Sequence, residues 1–385
     1  MPNLWQQPLS LYIHLPWCLH KCAYCDFNSH ATDIDQFPEI KYIQALIADL
    51  EHHKDTIGSR EIKSIFIGGG TPSLFSPNSI NEILSSCRRL LNIPHQCEIT
   101  LETNPGTFEY QKFSEFLSVG VNRLSIGAQS FNESSLKALG RIHSASEATH
   151  AVETAHSIGF NNINVDLMFA LPDQSIDEAL ADINHACQLP VNHISYYQLT
   201  LEPNTIFHRF PPNLPTSDTS WQIQQNGIDR LADAGYTRYE VSAYSQENSN
   251  CIHNVNYWNF GDYLGIGAGA HSKLTDKNNI VRFQKSRQPD SYLHAVSTNT
   301  QTVQYRTLGS DDLIFEFMLN SLRLTEGFSI DTFIAATGVE WKSIESEVMQ
   351  LVENQWLIFE NSQVKTTPLG YRFLDEVVEK FLPAD

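Results

Sequence analysis

Six short apolar runs, separated by stretches of helix length, constrain the fold of this 385-residue chain more than any other feature. The stretches between them repeat apolar residues at spacings of three and four, which predicts amphipathic helices. Regular alternation of strand and helix favours right-handed crossovers and a parallel sheet. The predicted strands are Leu11–Leu15, Ser64–Ile67, Glu98–Glu102, Arg123–Ile126, Asn162–Phe169 and His193–Leu199. The predicted helices are Tyr42–His53, Ile80–Leu91, Tyr110–Ser118, Glu147–Ile158 and Ile176–Cys187.

Six such units predict an α/β fold in which the parallel sheet curls into a partial (β/α)6 barrel of the TIM type, open on one side. Most of the polar and glycine-rich segments lie at or just after the ends of the predicted strands. The carboxyl ends of the strands carry the active site in βα barrels, so we expect these segments to meet at one mouth. They are Gly68–Pro72, Glu102–Pro105, Gly127–Ser130 and Asp166.

A triad of cysteines follows the first predicted strand. Cys18, Cys22 and Cys25 stand in Cys-x3-Cys-x2-Cys spacing. Three thiolates can hold three irons of a cubane iron–sulfur cluster and leave the fourth iron open to a small ligand. The alternative is structural zinc, which usually takes four ligands, often as two Cys-x2-Cys pairs, and a second pair is missing here. The residues available as a fourth zinc ligand are His14, His20 and His30.

Composition narrows the class of protein further. The formal charge of −19 argues against a nucleic-acid-binding protein, because phosphate binding needs clustered Lys and Arg. The N-terminus lacks the pattern of a signal peptide, and no apolar run approaches the length of a membrane span. Seven cysteines, four of them scattered, argue against a disulfide framework. We therefore expect a cytoplasmic protein without an integral membrane segment.

The alternation ends after Leu199, which suggests three regions: a barrel at 1–205, an extension at 206–305 and a C-terminal domain at 306–385. In the extension we predict a helix at Asp218–Ala234, a strand at Tyr239–Ala243 and a loop at Cys251–His271. The pattern of the last region favours a winged-helix-like α+β domain. DNA binding is not expected of it, because it contains six Lys or Arg and fourteen Asp or Glu. Its predicted elements are helices at Ser310–Ser321, Ser329–Thr337 and Trp341–Asn354, and a hairpin at Trp356–Thr366.

The cysteine motif, the GGGTPS loop and the spacing of the later polar residues resemble the radical S-adenosylmethionine (SAM) superfamily. The resemblance implies that the amino and carboxylate groups of SAM chelate the open iron, and that an electron from the [4Fe–4S] cluster cleaves the sulfonium to a 5′-deoxyadenosyl radical. By position, it assigns SAM binding to Tyr12, Tyr24, Gly69, Gly70, Thr71, Glu102, Gln129, Arg141, Asp166 and Thr200.

The chemistry of these residues agrees with that assignment. Glycine lets a ligand approach the backbone closely because it has no Cβ. Glu102 suits a ligand ammonium and Arg141 a carboxylate, each through charge-assisted hydrogen bonds. Gln129 and Asp166 suit ribose hydroxyls. Each of them, taken alone, is equally common as a surface salt bridge or a satisfied polar group in a core.

Further motifs resemble the branch of this superfamily that contains the oxygen-independent coproporphyrinogen dehydrogenases and the haem chaperones. They are YIHLPWC, CAYCDFNSH, GGGTPS, LETNP, RLSIGAQS and LGRIH. The dehydrogenases typically carry a fourth cysteine two residues after the third, where this chain has Phe27, and an N-terminal extension that is nearly absent here. Both departures favour the chaperones.

His253, Asn254, Tyr257 and Trp258 fit the HNxxYW motif of the chaperone branch. A haem carrier needs a nitrogen ligand for iron and flat apolar walls for the macrocycle, which His253, Tyr257 and Trp258 can supply. The alternative is that His253 caps a turn and the two aromatic residues hold the loop. Cations for the anionic propionates are available nearby. They are Arg209, Arg238, Lys273, Arg282 and Lys285.

The sequence therefore predicts a haem chaperone that binds a [4Fe–4S] cluster, SAM and haem and transfers haem to acceptor haemoproteins. The alternatives are a coproporphyrinogen III dehydrogenase, which decarboxylates propionates by radical chemistry, and a structural zinc protein. Expected partners are haem donor and acceptor proteins, peripheral contact with membrane haemoproteins and a second copy of the chain in a homodimer.

Overall fold

A computed structural model describes residues 7–33, 36–106, 110–276, 279–300 and 302–383. It confirms all six predicted strands, which we number β1 to β6, and adds a seventh parallel strand, β7. Their order in the sheet is β7-β1-β2-β3-β4-β5-β6, so β7 extends the barrel beside the first strand. The strands are β1 Leu9–Leu15, β2 Ile62–Gly69, β3 Glu98–Thr103, β4 Arg123–Gln129, β5 Ile163–Phe169, β6 His193–Gln198 and β7 Asp262–Ile266.

Helices cover the outside of the sheet, as the apolar spacing predicts. Two of them begin with a capping box, in which Ser144 pairs with Glu147 and Ser175 with Glu178. The predicted helix at Tyr110–Ser118 is shorter than expected, since it begins at Phe113. The helices through the barrel and its extension are Glu39–Ile57, Pro77–Leu90, Phe113–Ser118, Glu133–Leu139, Ala145–Ile158, Ile176–Gln188, Ile206–Arg209, Ser217–Asp233, Ile252–Trp258 and Pro289–Ser297, with a 3-10 turn at Pro72–Leu74.

The loop expected at Cys251–His271 is wrong, because this segment holds the helix Ile252–Trp258 and strand β7. Strand β7 was not predicted from the sequence because it contains Asp262 and Gly265, and Asp and Gly are rare in strands. Asp262 fits because its buried carboxylate accepts hydrogen bonds from Arg60 (2.8 Å) and Lys273 (3.0 Å). Gly265 fits because a Cβ there would lie 2.1 Å from the carbonyl oxygen of His271.

Antiparallel strands extend the sheet beyond both parallel edges. The strand expected at Tyr239–Ala243 is wrong in position, since a turn at 239–242 separates two short paired strands. Beside β7 lie three antiparallel strands that the sequence did not predict. The added strands are Thr237–Arg238, Ala243–Ser245, His271–Asp276, Asn279–Lys285 and Thr302–Thr307.

The C-terminal segment has a hydrophobic core of its own around Phe317 and Phe333, and this core includes Phe260 from the barrel extension. The three helices and the hairpin agree with the winged-helix-like pattern, although Trp341–Ser343 forms a 3-10 turn before the third helix. Among the described residues we found no helix of the length and apolarity that a membrane crossing requires. The elements are helices Ser310–Ser321, Ile330–Thr337, Glu345–Glu353, Pro368–Arg372 and Leu374–Glu379 and strands Phe328–Ser329, Leu357–Glu360 and Gln363–Thr366.

Candidate functional site

One cavity of about 650 Å³ lies inside the barrel and collects most of the residues that the sequence singles out. It reaches from the cysteine loop after β1 to the helix Ile252–Trp258 and the C-terminal domain. Three predicted site residues, Tyr12, His253 and Tyr257, are not among those that line it. The predicted residues that line it are Cys18, Cys22, Tyr24, Cys25, Gly69, Gly70, Thr71, Glu102, Gln129, Arg141, Asp166, Thr200, Asn254 and Trp258.

The three cysteines of the triad lie on one wall of this cavity as free thiols. Cys18 begins the loop in a short parallel pairing of Trp17–Cys18 with His30–Ala31. Burial raises the pKa of the Cys18 thiol to about 11, and a bound metal centre would favour its thiolate form. Within the described residues, no three His, Cys, Asp or Glu side chains converge on one point as a single metal ion requires. A cubane cluster instead binds each thiolate to a different iron, and this all-sulfur donor set fits it.

The glycine loop after β2 brings backbone to the cavity wall. Gly69 has φ +123°, and a Cβ there would lie 2.6 Å from the ring of His14. At Gly70 a Cβ would lie 2.5 Å from the carbonyl oxygen of Trp17. Both positions therefore require glycine because β1 and the cysteine loop pack closely against them, and their N–H groups donate to Glu102 and to the Leu15 carbonyl oxygen.

Glu102 stands near the end of β3, and its Oε2 accepts a hydrogen bond from the Gly69 N–H at 3.0 Å. Burial raises the pKa of this carboxyl to about 7, with a smaller contribution in the same direction from Asp166. A partly buried carboxylate to which no described Lys or Arg donates a hydrogen bond suits a ligand ammonium.

Arg141 spans the space between the cysteine loop and the barrel. Its Nη2 donates to Asn104 Oδ1 at 2.7 Å and to the Gly127 carbonyl oxygen at 2.8 Å, and its Nη1 lies 3.7 Å from Cys22 Sγ. Its buried Nε has no hydrogen-bond partner among the described residues. A guanidinium held in this way can meet both a sulfur-bound cluster and a ligand carboxylate.

Gln129 and Asp166 lie on neighbouring strands of the cavity wall. The register between β4 and β5 shifts just before Gln129, whose φ of 69° is unusual for a residue other than glycine. Its Oε1 accepts a hydrogen bond from the Tyr197 hydroxyl at 2.8 Å. The Asp166 carboxylate accepts from Asn164 Nδ2 at 2.9 Å and from Ser125 Oγ at 3.2 Å. Both side chains are thus held in place by residues that sequence reasoning missed.

The HNxxYW motif forms the helix Ile252–Trp258 and presents only part of itself to the cavity. Asn254 and Trp258, one turn apart, line it. His253 is 9% exposed, with its ring 5.0 Å from Phe66 and its Nδ1 3.1 Å from Ser64 Oγ. Burial, and secondly the charge of Arg123, lower the pKa of His253 to about 3, so the ring is neutral at physiological pH.

Two further predicted residues, Tyr12 and Tyr257, do not line the cavity. Tyr257 packs edge-on against Trp258 with the ring centroids 5.0 Å apart. The Tyr12 hydroxyl lies 3.0 Å from His14 Nδ1, and the Tyr12 ring is 6.3 Å from that of Phe66. Their assigned ligand contacts therefore stay predictions.

The cations that the sequence offered for propionates lie elsewhere, because none of the five lines the cavity. Lys273 and Lys285, for example, are buried in ion pairs with Asp262 (3.0 Å) and Asp49 (2.7 Å). Besides Lys21 and Arg141 at the cysteine loop, the cavity contains Arg123 and Arg323. The sequence carried no signal for either, since Arg123 lies within a predicted strand and Arg323 more than 60 residues beyond the motif.

The comparisons with known proteins agree with this architecture. The family model of the radical SAM superfamily matches residues 12–186, and that of the HemN C-terminal domain matches residues 308–373. The chain is similar in fold to the coproporphyrinogen III oxidase HemN from Escherichia coli, with a TM-score of 0.84, 21% identity and coverage of 98% of this chain and 90% of that one.

Relatives of full length are more similar in sequence. The heme chaperone HemW of Haemophilus influenzae is 45% identical over 387 residues, which cover 99% of each chain. The heme chaperone HemW of Escherichia coli is 44% identical, over 97% of this chain and 98% of that one. A mitochondrial radical S-adenosyl methionine domain-containing protein 1 of Mus musculus is 30% identical, over 97% and 87%. The chain therefore belongs to the HemW family within the radical SAM superfamily.

Proposed function

We propose that this chain is a haem chaperone, which binds a [4Fe–4S] cluster on Cys18, Cys22 and Cys25, SAM beside that cluster and haem at the opposite end of the cavity, and which hands haem to acceptor haemoproteins. One observation carries the proposal: a single cavity joins the three thiols to Asn254 and Trp258 of the HNxxYW motif. Similarity to the HemW relatives supports it.

The residues near the cysteine loop fit the cluster and SAM. When bound, the cluster supplies an open iron and an electron to SAM. The chain itself supplies Glu102 for the ammonium, Arg141 for the carboxylate and the Gly69 and Gly70 backbone for close approach. Gln129 and Asp166 suit the ribose, since both lie on adjacent strands and are held by hydrogen bonds.

The residues of the motif suit haem in different ways. Trp258 offers an indole ring and Asn254 an amide on the cavity wall. His253 is neutral and so in the form that ligates iron, but its ring lies behind Phe66. In this proposal the helix Ile252–Trp258 shifts to bring His253 to the iron, or His253 positions the helix through Ser64.

Haem titration of the cluster-reconstituted protein tests the proposal. We expect the wild type to bind haem with a defined stoichiometry and Trp258→Ala to bind it more weakly. Trp221→Ala is the matched control, because Trp221 lies outside the cavity, on the helix Ser217–Asp233. The electronic absorption and magnetic circular dichroism spectra of His253→Ala separate the two roles of the histidine. A changed axial-ligand signature indicates ligation, and an unchanged signature with weaker binding indicates positioning.

The HemN-like fold leaves coproporphyrinogen dehydrogenation as the competing activity, and one assay separates the two. Anaerobic incubation with coproporphyrinogen III, SAM and a reductant is expected to yield no protoporphyrinogen beyond background. Several turnovers per chain would contradict the chaperone proposal. Phe27, which is 60% exposed at the place of the fourth cysteine in the dehydrogenases, supports the expectation.

The proposal includes the partners expected from the sequence. They are haem donors, acceptor haemoproteins that include membrane-bound ones met from the cytoplasmic side, and a second copy of the chain. Haem transfer in the presence of apo-haemoproteins and the sedimentation of the loaded chain test them.

A further inference from the structure

We infer that Arg123, together with Trp258 and Arg323 of the same cavity, is a receptor for a carboxylate of the bound tetrapyrrole. This inference rests on the proposed function, because it identifies which part of haem the far end of the cavity recognises. We call this part of the cavity the motif end and define it by Arg123, Ser242, Asn254, Trp258 and Arg323, all of which line it.

Arg123 is the first residue of β4, and its side chain is 2% exposed. Its Nε is buried without a hydrogen-bond partner among the described residues. Glu98 Oε2 is 4.0 Å from this Nε, beyond hydrogen-bond distance, and the charge of Asp166 also acts on the guanidinium. A guanidinium buried in this way is costly unless an acceptor reaches it, and the cavity provides the access.

Two more N–H donors at the motif end lack partners. Trp258 Nε1 and Arg323 Nε are also buried without a hydrogen bond to any described residue. The Arg323 guanidinium lies over the Trp258 ring, 4.2 Å from its centroid, while its Nη2 donates to Glu240 Oε2 at 3.0 Å. All three unsatisfied atoms are donors, so the ligand that completes this end presents acceptors.

Glu98 interacts both with the motif helix, through a hydrogen bond, and with Arg123, through charge alone. Glu98 Oε1 accepts from the backbone N–H of His253 at 3.3 Å, while Glu98 Oε2 faces Arg123. Because Glu98 is shared with the helix, it cannot turn fully toward Arg123. The guanidinium therefore keeps positive charge for a ligand next to the residues assigned to haem.

A propionate carboxylate matches this set of donors. A carboxylate is planar and anionic, and arginine can bind it through two parallel N–H···O hydrogen bonds. The indole of Trp258 lies on the same wall to meet the macrocycle. The net charge of −19 makes such a local cation necessary, since the rest of the chain repels an anionic ligand.

The test compares haem with its dimethyl ester, in which both propionates are neutral methyl esters, on the cluster-loaded protein. We expect the wild type to bind haem about thirtyfold or more tightly than the ester. Arg123→Met is expected to lose most of that preference by weakening haem alone, and Arg123→Lys to keep part of it. Arg89→Met, which removes an exposed arginine outside the cavity, is the control and is expected to keep the wild-type preference.

The outcomes separate this inference from the proposed function. Equal affinity of the wild type for haem and ester overturns the inference and leaves the chaperone proposal standing, and it does so even if no variant folds. Binding of neither ligand by the wild type overturns both. A preference unchanged in Arg123→Met, or a loss of SAM affinity in place of haem affinity, also overturns the inference.

Discussion

We expect the carboxyl group of Glu102 to make SAM binding depend on pH near neutrality. Its pKa is raised to about 7, chiefly by burial, whereas the carboxylate is the form that holds an ammonium. For binding that requires the carboxylate, the apparent dissociation constant at pH 6 is about fivefold higher than at pH 7. The α-amino group of free SAM is protonated over this range, and a proton that it releases on chelating iron is released in the wild type and in Glu102→Gln alike, so the difference between their slopes reports Glu102.

The same shift also acts on the stability of the ligand-free chain. A carboxyl whose folded pKa exceeds its unfolded pKa contributes stability at low pH, and this stability is lost as the pH rises from about 4.5 to about 7. At about 1.36 kcal/mol per pKa unit, the ionised group costs on the order of 3 kcal/mol above pH 7. Glu102→Gln removes this cost and is expected to stabilise the ligand-free protein at pH 8 while it weakens SAM binding.

Calorimetric titration with SAM at pH 6.0, 6.5 and 7.0, together with urea unfolding at pH 8, measures both effects. Asp173→Asn, a substitution outside the cavity, controls for the general effect of charge. A wild-type affinity that is flat across this range, or a slope in Glu102→Gln equal to that of the wild type, would refute the reasoning.

Three further substitutions have expected outcomes. Cys25→Ser is expected to lose the cluster, measured as iron and labile sulfide per chain, whereas Cys187→Ser, outside the cavity, retains it. Gly70→Ala places a Cβ 2.5 Å from the Trp17 carbonyl oxygen; calorimetry should show weaker SAM binding, and thermal unfolding a loss of about 1–3 kcal/mol. Asp262→Ala leaves the buried Lys273 without its ion-pair partner and is expected to lower the free energy of unfolding, measured in urea, by about 3–5 kcal/mol. Its control, Asp290→Ala, changes an exposed residue at the start of a helix and is expected to leave this free energy nearly unchanged.

The sequence predicted the strands that follow simple rules of periodicity. The first six parallel strands carry apolar runs, and their carboxyl ends carry the polar segments that meet at one cavity. Strand β7 was not predicted, because Asp262 and Gly265 are residue types that disfavour strands. Contacts with residues distant in sequence accommodate them in the fold. The positively charged Arg60 and Lys273 donate hydrogen bonds to Asp262, and no local sequence pattern predicts these contacts.

The residues of the candidate site that were predicted from the sequence are those that belong to contiguous motifs. Arg123 and Arg323 were missed for different reasons. Arg123 occupies a position in a strand where an arginine is ordinarily a surface residue, and Arg323 reaches the cavity only through the docking of the C-terminal domain. His253 is the opposite case, because its motif is explicit in the sequence whereas its ring packs 5.0 Å from that of Phe66 and does not line the cavity, so its assigned role stays a prediction.

Haem transfer from the loaded chain to an apo-haemoprotein tests the central claim most directly. The cluster-reconstituted protein is loaded with one haem, mixed with a b-type apo-acceptor and followed by the absorption spectrum of the acceptor. The account predicts transfer that is faster than dissociation of haem into solution, rises with acceptor concentration and is lost in Trp258→Ala. A transfer rate equal to free dissociation and independent of the acceptor would contradict it.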